Sequence, residues 1–194
     1  GGAAIYMNKE AACANLTVQN TTIYNFAGVD DDKAAIHIAE LTSDATFATQ
    51  TLIDHVTIYN IQTRSDIGAI TIVNASKTTI SNCIIASPEQ KWIDSYNVPA
   101  EATIQNCLVY NQHLDEVWAS IITKADPMFV DAANGNFQLY AESPAVGAGT
   151  DGSNLGDPRW GMKPGLQPGS GKLKAAVNAA QAGATIELGD GIYE

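Results

Sequence analysis

Hydrophobic and polar positions alternate in four segments that align without gaps. They are Val18-Gln19-Asn20-Thr21-Thr22-Ile23-Tyr24-Asn25, Ile53-Asp54-His55-Val56-Thr57-Ile58-Tyr59-Asn60, Ile80-Ser81-Asn82-Cys83-Ile84-Ile85-Ala86-Ser87 and Ile104-Gln105-Asn106-Cys107-Leu108-Val109-Tyr110-Asn111. Their starts lie 35, 27 and 24 residues apart. Each opens on a β-branched residue, places a polar residue third and carries Ile or Val sixth. A second family, Ala4-Ile5-Tyr6-Met7, Ala35-Ile36-His37-Ile38 and Ala69-Ile70-Thr71-Ile72, advances in step with the first. Short β-branched runs of this kind predict strands. The density of Thr, Ile and Val argues against helical repeats.

Two strand families on a common, elastic period predict a coil that repeats, with insertions at its corners. A parallel β-helix buries every repeated Ile and Val, each coil stacking on the last at about 4.8 Å. Ile23, Ile58, Ile85 and Val109 then form an interior column. Asn20, His55, Asn82 and Asn106 form a second, and Asn25, Asn60, Ser87 and Asn111 a third. Asn tolerates left-handed backbone at a tight corner, which accounts for both polar columns. Cys83 and Cys107 fall in an interior column with Thr21 and Val56, where they read as small buried hydrophobes.

Composition narrows the function. Of 194 residues, 45% are hydrophobic and 16% charged, and the net charge is −11. Such a field repels nucleic acid and anionic membrane surfaces. No apolar run approaches the roughly 18 residues of a spanning helix. Three cysteines, Cys13 included, exclude a fully paired disulfide scaffold. The Gly-Gly start reads as a processed, trimmed or engineered end.

From Ala125 the texture changes. Asp126-Pro127-Met128-Phe129-Val130-Asp131 and Asn134-Gly135-Asn136-Phe137-Gln138-Leu139 predict a strand, an Asn-Gly turn and a strand. Ser143-Pro144-Ala145-Val146-Gly147-Ala148-Gly149 and Gly156-Asp157-Pro158-Arg159-Trp160 follow. This run resembles the closing segment of right-handed β-helix proteins of the pectate-lyase and chondroitinase-B-like superfamily, particularly secreted Bacteroidota forms. The resemblance implies an all-β fold, a right-handed parallel β-helix (solenoid), with one short capping α-helix.

That cap is displaced. Residues 161–170 form a Gly/Pro connector, Ser170 caps a predicted helix from Gly171 to about Ala182, and Gly183 follows it. Leu173, Ala176, Val177 and Ala180 share one helix face, and Ala184-Thr185-Ile186-Glu187-Leu188 predicts a strand. The run through Ile192 and Tyr193 resembles the amino-terminal cap of the same superfamily, here at the opposite end of the chain. Three explanations fit: a circular permutant, one period of a tandem array, or a protomer whose cap docks on the next copy. In the last, Leu173, Val177, Ile186, Leu188, Ile192 and Tyr193 meet the open first coil at Ile5 and Tyr6, adding a donor strand.

Candidate chemistry is sparse. The superfamily's lyases imply a Lys or Arg base, but Lys33, Arg64, Lys77, Lys91 and Lys124 are scattered along the chain. Asp30, Asp31 and Asp32 are the one acid cluster for a hydrolase, and a solvated turn is the commoner explanation of such a run. His37 alternates with Ile36 and Ile38 and faces outward, and the histidines lack metal-ligand spacing. Asp126 and Asp131, with Asn134 and Asn136, offer oxygens to Ca²⁺, while a closing turn already accounts for them. Tyr24, Tyr59 and Tyr110 occupy one outward column and form an exposed ladder able to stack on sugar rings, and stiffening of the sheet by cross-strand contact explains it at least as well.

The sequence therefore divides into coils and closing segment at 1–160, a linker at 161–170 and a cap at 171–194. It points to a non-catalytic extracellular or surface-borne structural solenoid, without cofactor, whose partners are copies of itself. The alternative is a polysaccharide-active lyase or hydrolase, or a carbohydrate-binding β-helix.

Overall fold

A computed structural model describes residues 3–7, 15–27, 34–39, 50–62, 68–73, 77–87, 93–95, 103–110, 122–165, 171–189 and 193. Asp30, Asp31, Asp32 and Ile192 lie outside the described residues, as do Cys13, Asn111 and Ser170. The described chain begins with β1 (Ile5–Met7), β2 (Asn15–Tyr24), β3 (Ile36–Ala39), β4 (Gln50–Tyr59), β5 (Ile70–Val73) and β6 (Lys77–Ser81). It continues with β7 (Ile84–Ala86), β8 (Ile93–Ser95), β9 (Thr103–Gln105), β10 (Cys107–Tyr110) and β11 (Ile122–Lys124). β12 (Phe129–Asp131), β13 (Asn136–Leu139) and one α-helix, α1 (Lys172–Ala179), complete it.

The fold is mostly β, with two parallel sheets. One sheet runs β1-β3-β5-β8. The other stacks β2 on β4, then β6 and β7 along the two halves of β4, then β9, β10 and β11. Through β8 the chain passes between the two sheets in turn, with β6 and β7 as successive pieces of one pass through the second. The aligned sequence columns are strand registers: Val18 pairs with Ile53, Ile53 with Ile80, and Ile80 with Ile104. Ile23, Ile58, Ile85 and Val109 pair in the same way. In the first sheet, Ile5, Ile36, Ile70 and Ile93 are in register, which adds a strand that the sequence families did not include.

Burial follows the registers. Ile36, Ile38, Ile53, Ile58, Ile70, Ile80 and Ile85 have no exposed surface and share one core with Val109. Cys83 and Cys107 are buried free thiols in that core. The Cys83 thiol donates to the Ser81 carbonyl at 3.0 Å, and burial pushes its pKa well up. Neither is a nucleophile in this setting.

The second polar column is a left-handed corner throughout. Asn20, His55, Asn82 and Asn106 have φ of 50°, 50°, 53° and 48°, and Asn25 and Asn60 have 51° and 50°. Non-glycine residues adopt this conformation rarely, and Asn does so most readily.

Two expectations need correction. His37 leaves β3 on the face opposite the core residues Ile36 and Ile38, but it is not exposed there: it is buried at 6% exposure, with the Tyr6 ring 5.2 Å away. β3 lies inside its sheet, between β1 and β5, and Tyr6 covers the histidine. The C-terminal helix is also shorter than predicted. Gly171 rather than Ser170 stands at its N-cap, and Ala180 leaves it in extended conformation with ψ 138°.

Candidate functional site

Residues 125–165 cross the second sheet rather than extending it. β12 and β13 pair antiparallel around a 3₁₀ turn, Ala132–Asn134, and Gly135 closes the turn at φ +82°. Phe137 is 1% exposed, with the rings of Tyr24, Tyr59, Phe129 and Trp160 all 5.2 to 5.6 Å from it. Edge-to-face packing of this kind adds about 0.5–1.5 kcal/mol per pair beyond burial. The exposed tyrosine ladder is thereby corrected at Tyr59, while Tyr24 stays 47% exposed. Tyr24 and Tyr59 do leave the sheet on its outer side, but the closing hairpin packs on both. Ala86 separates Tyr59 from Tyr110, which is 46% exposed.

Beyond the hairpin the chain runs as a strap along the left-handed corners. Asn106 donates from Nδ2 to the Ala148 carbonyl at 3.1 Å. Asn82 accepts from the Thr150 amide at 3.0 Å and donates to its Oγ1 at 3.2 Å. The His55 Nε2 meets the Ser153 hydroxyl at 2.9 Å. The Asp157 amide donates to Thr57 Oγ1 at 2.9 Å, and Thr22 Oγ1 donates to the Asp157 carboxylate at 2.7 Å. Successive strap residues therefore engage successive strands, from β10 back to β2.

The Gly-Asp-Pro-Arg-Trp run fastens the lower end of this strap. Gly156 adopts φ +78°, and a Cβ there would stand 2.5 Å from Thr57 Oγ1 and 2.9 Å from Ile84 Cδ1. No side chain fits. Asp157 is 4% exposed and ion-paired with Arg159, whose Nε reaches both carboxylate oxygens at 3.0 Å. Burial would raise its pKa, but hydrogen bonds from Arg159 and Thr22 outweigh burial and hold the carboxyl below its ordinary range. Trp160 Nε1 donates to Thr22 Oγ1 at 2.8 Å.

The middle of the strap holds the densest polar cluster. Asp54 Oδ2 lies 2.9 Å from His55 Nδ1. Its Oδ1 accepts from Ser81 Oγ at 2.7 Å and from Asn82 Nδ2 at 2.9 Å. Burial works to raise the Asp54 pKa, and the hydrogen bonds from His55, Ser81 and Asn82 reverse this and leave it lowered. The carboxylate only accepts, so Nδ1 of His55 carries a proton, and in the neutral ring Nε2 then accepts from Ser153. Sequence reasoning placed His55 at a corner and missed Asp54 and Ser153. The available signal was a His standing where its column otherwise has Asn.

A separate groove of about 700 Å³ follows β2, β4 and β6, lined by Asn15, Thr17, Gln50, Leu52, Lys77 and Thr79. Thr51 and Thr78 also line it, and their buried hydroxyls have no hydrogen-bond partner.

The other predicted residues are spread over the molecule. Asp126 accepts from the Met128 amide at 2.8 Å, and Asp131 from Asn134 Nδ2 at 2.9 Å, so both serve their own turns. Among the described residues, no group of three or more His, Cys, Asp or Glu could hold a metal ion. Ile5 is half-buried and Tyr6 53% exposed on β1, at the end of its sheet. No residue of α1 is buried; Leu173 is half-buried, and Val177 and Leu188 are 55% and 50% exposed. Ile186 and Tyr193 are half-buried, and Tyr193 donates to the Gly189 carbonyl at 2.7 Å. The helix is tied to the closing segment by Lys172 on Glu142 at 2.7 Å.

The family model for DUF5123, a domain of unknown function, matches residues 51–160, from β4 to the end of the strap. No curated protein matches the chain.

Proposed function

The chain belongs to the DUF5123 family, and we propose that its two parallel sheets are faces of one right-handed β-helix that associates head to tail as an extracellular structural rod. The passage of the chain between the two sheets in turn supports the closed coil. The likeness of residues 126–160 to the closing segment of the pectate-lyase and chondroitinase-B-like superfamily supports its hand.

One observation carries the assembly. Among the described residues, β1 and β2 end their sheets with one paired edge each, while α1 and Leu188 leave apolar side chains in water. An open sheet edge is a template for another chain. A heterologous contact between two different surfaces of one protein propagates rather than closing on itself. The occupant of the β1–β2 end is residues 172–188 of a second copy, whose helix brings Leu173 and Val177 and whose extended segment brings Ile186 and Leu188. A paired Val177→Asp and Leu188→Asp variant tests this, because both side chains are already exposed and the fold does not depend on them. Light scattering should show large assemblies for the parent chain and monomers for the variant. Equal assembly by both would refute the interface.

The groove beside Thr51 and Thr78 favours a second reading, a carbohydrate-binding rod. Its hydroxyl and amide lining suits sugar hydroxyls, and Lys77 suits a uronate carboxylate. Calorimetric titration with oligouronates distinguishes that reading, since a Lys77→Glu change should abolish any heat of binding.

A further inference from the structure

The Asp54–His55–Ser153 cluster has the connectivity of a nucleophile, a base and a group that orients the base. Each link is 2.9 Å. A structural clasp at this corner needs only an amide, as Asn82 and Asn106 demonstrate on the neighbouring strands. At His55 the amide is replaced by an imidazole. On the same strand, the position before the corner is a carboxylate, where β2, β6 and β9 carry Gln19, Ser81 and Gln105. Asp54 is then held by Ser81 and Asn82 from the adjacent strand, which fixes the carboxylate against the ring. Space for the hydroxyl comes from Gly149, where a Cβ would stand 2.6 Å from Ser153 Oγ. The Ser153 amide donates to Asp151 at 2.9 Å, which orients the residue from the other side.

We propose that Ser153 is an acyl-accepting nucleophile, with His55 as its base and Asp54 as the positioning residue, acting on small carboxylic esters. Ser153 Oγ attacks the ester carbonyl carbon as its proton passes to His55 Nε2. Collapse of the tetrahedral adduct breaks the bond to the alkoxy group, which leaves as an alcohol after taking that proton. Water then attacks the acyl-serine, giving its proton to His55 Nε2; the Oγ–acyl bond breaks, the carboxylic acid departs, and His55 returns the proton to Ser153 Oγ. Asp54 stays ionised throughout and holds Nδ1–H. The substrate is small because the serine is only half-exposed. This inference is independent of the head-to-tail contact and adds a reaction to the rod.

The full chain is treated with a fluorophosphonate probe, the modified residue is located by mass spectrometry, and p-nitrophenyl acetate hydrolysis is followed in parallel. Ser153 should be labelled, and Ser153→Ala should be inert. His55→Asn restores the residue its column otherwise uses, so the corner should fold. Its labelling rate should still fall by roughly 100-fold or more. Asp54→Asn should lower kcat per folded molecule with KM unchanged, the folded fraction being measured by circular dichroism. An unlabelled Ser153 in the folded parent, or His55→Asn labelling at the parent rate, would overturn the assignment.

Discussion

Asp157 is buried against Thr22 and Arg159 and draws the end of the strap onto β2. Its folded pKa is depressed, so its stabilisation is present above the unfolded value of about 3.9 and is lost as pH falls through the lower folded value. Asp157→Asn should therefore cost about 1.5–3 kcal/mol at neutral pH. It should also flatten the acid limb of a plot of melting temperature against pH. An unchanged acid limb would show that Asp157 does not govern acid unfolding. The left-handed Asn columns were legible in the sequence, because the backbone conformation selects the residue type. The partners of those columns were not, since nothing local to Asn82 or His55 indicates that Thr150 and Ser153 will arrive from another segment.

At the scale of elements, β13 is the keystone of the closing segment. Phe137 touches rings from β2, β4, β12 and the Gly-Asp-Pro-Arg-Trp run, and it is fully packed. Phe137→Ala should cost about 3–5 kcal/mol in urea unfolding and expose Tyr59 and Trp160 to fluorescence quenchers. A loss under 1 kcal/mol would mean that the hairpin is not what anchors the strap. The strands themselves were readable from period and alternation, and their registers match the gapless alignment residue for residue. Alternation misjudged His37 and Tyr59 for a common reason. It reports which face of a strand a side chain leaves from and says nothing of what later covers that face. The hairpin covers Tyr59, and Tyr6 covers His37.

At the scale of the whole molecule, the strap and the open ends have opposite effects. The strap ties β10, β7, β4 and β2 together through the corners, so the second sheet resists local opening along its stack. The β1–β2 end has no such tie among the described residues, while α1 and the segment after it keep their apolar side chains exposed. The sequence indicated this imbalance through a cap-like run at the far end of the chain. Its order alone left a permutant, a tandem period and a polymerising protomer equally open. The most direct measurement is negative-stain electron microscopy of the purified chain across a concentration series. The account predicts unbranched fibres that lengthen with concentration, and compact single particles at every concentration would contradict it.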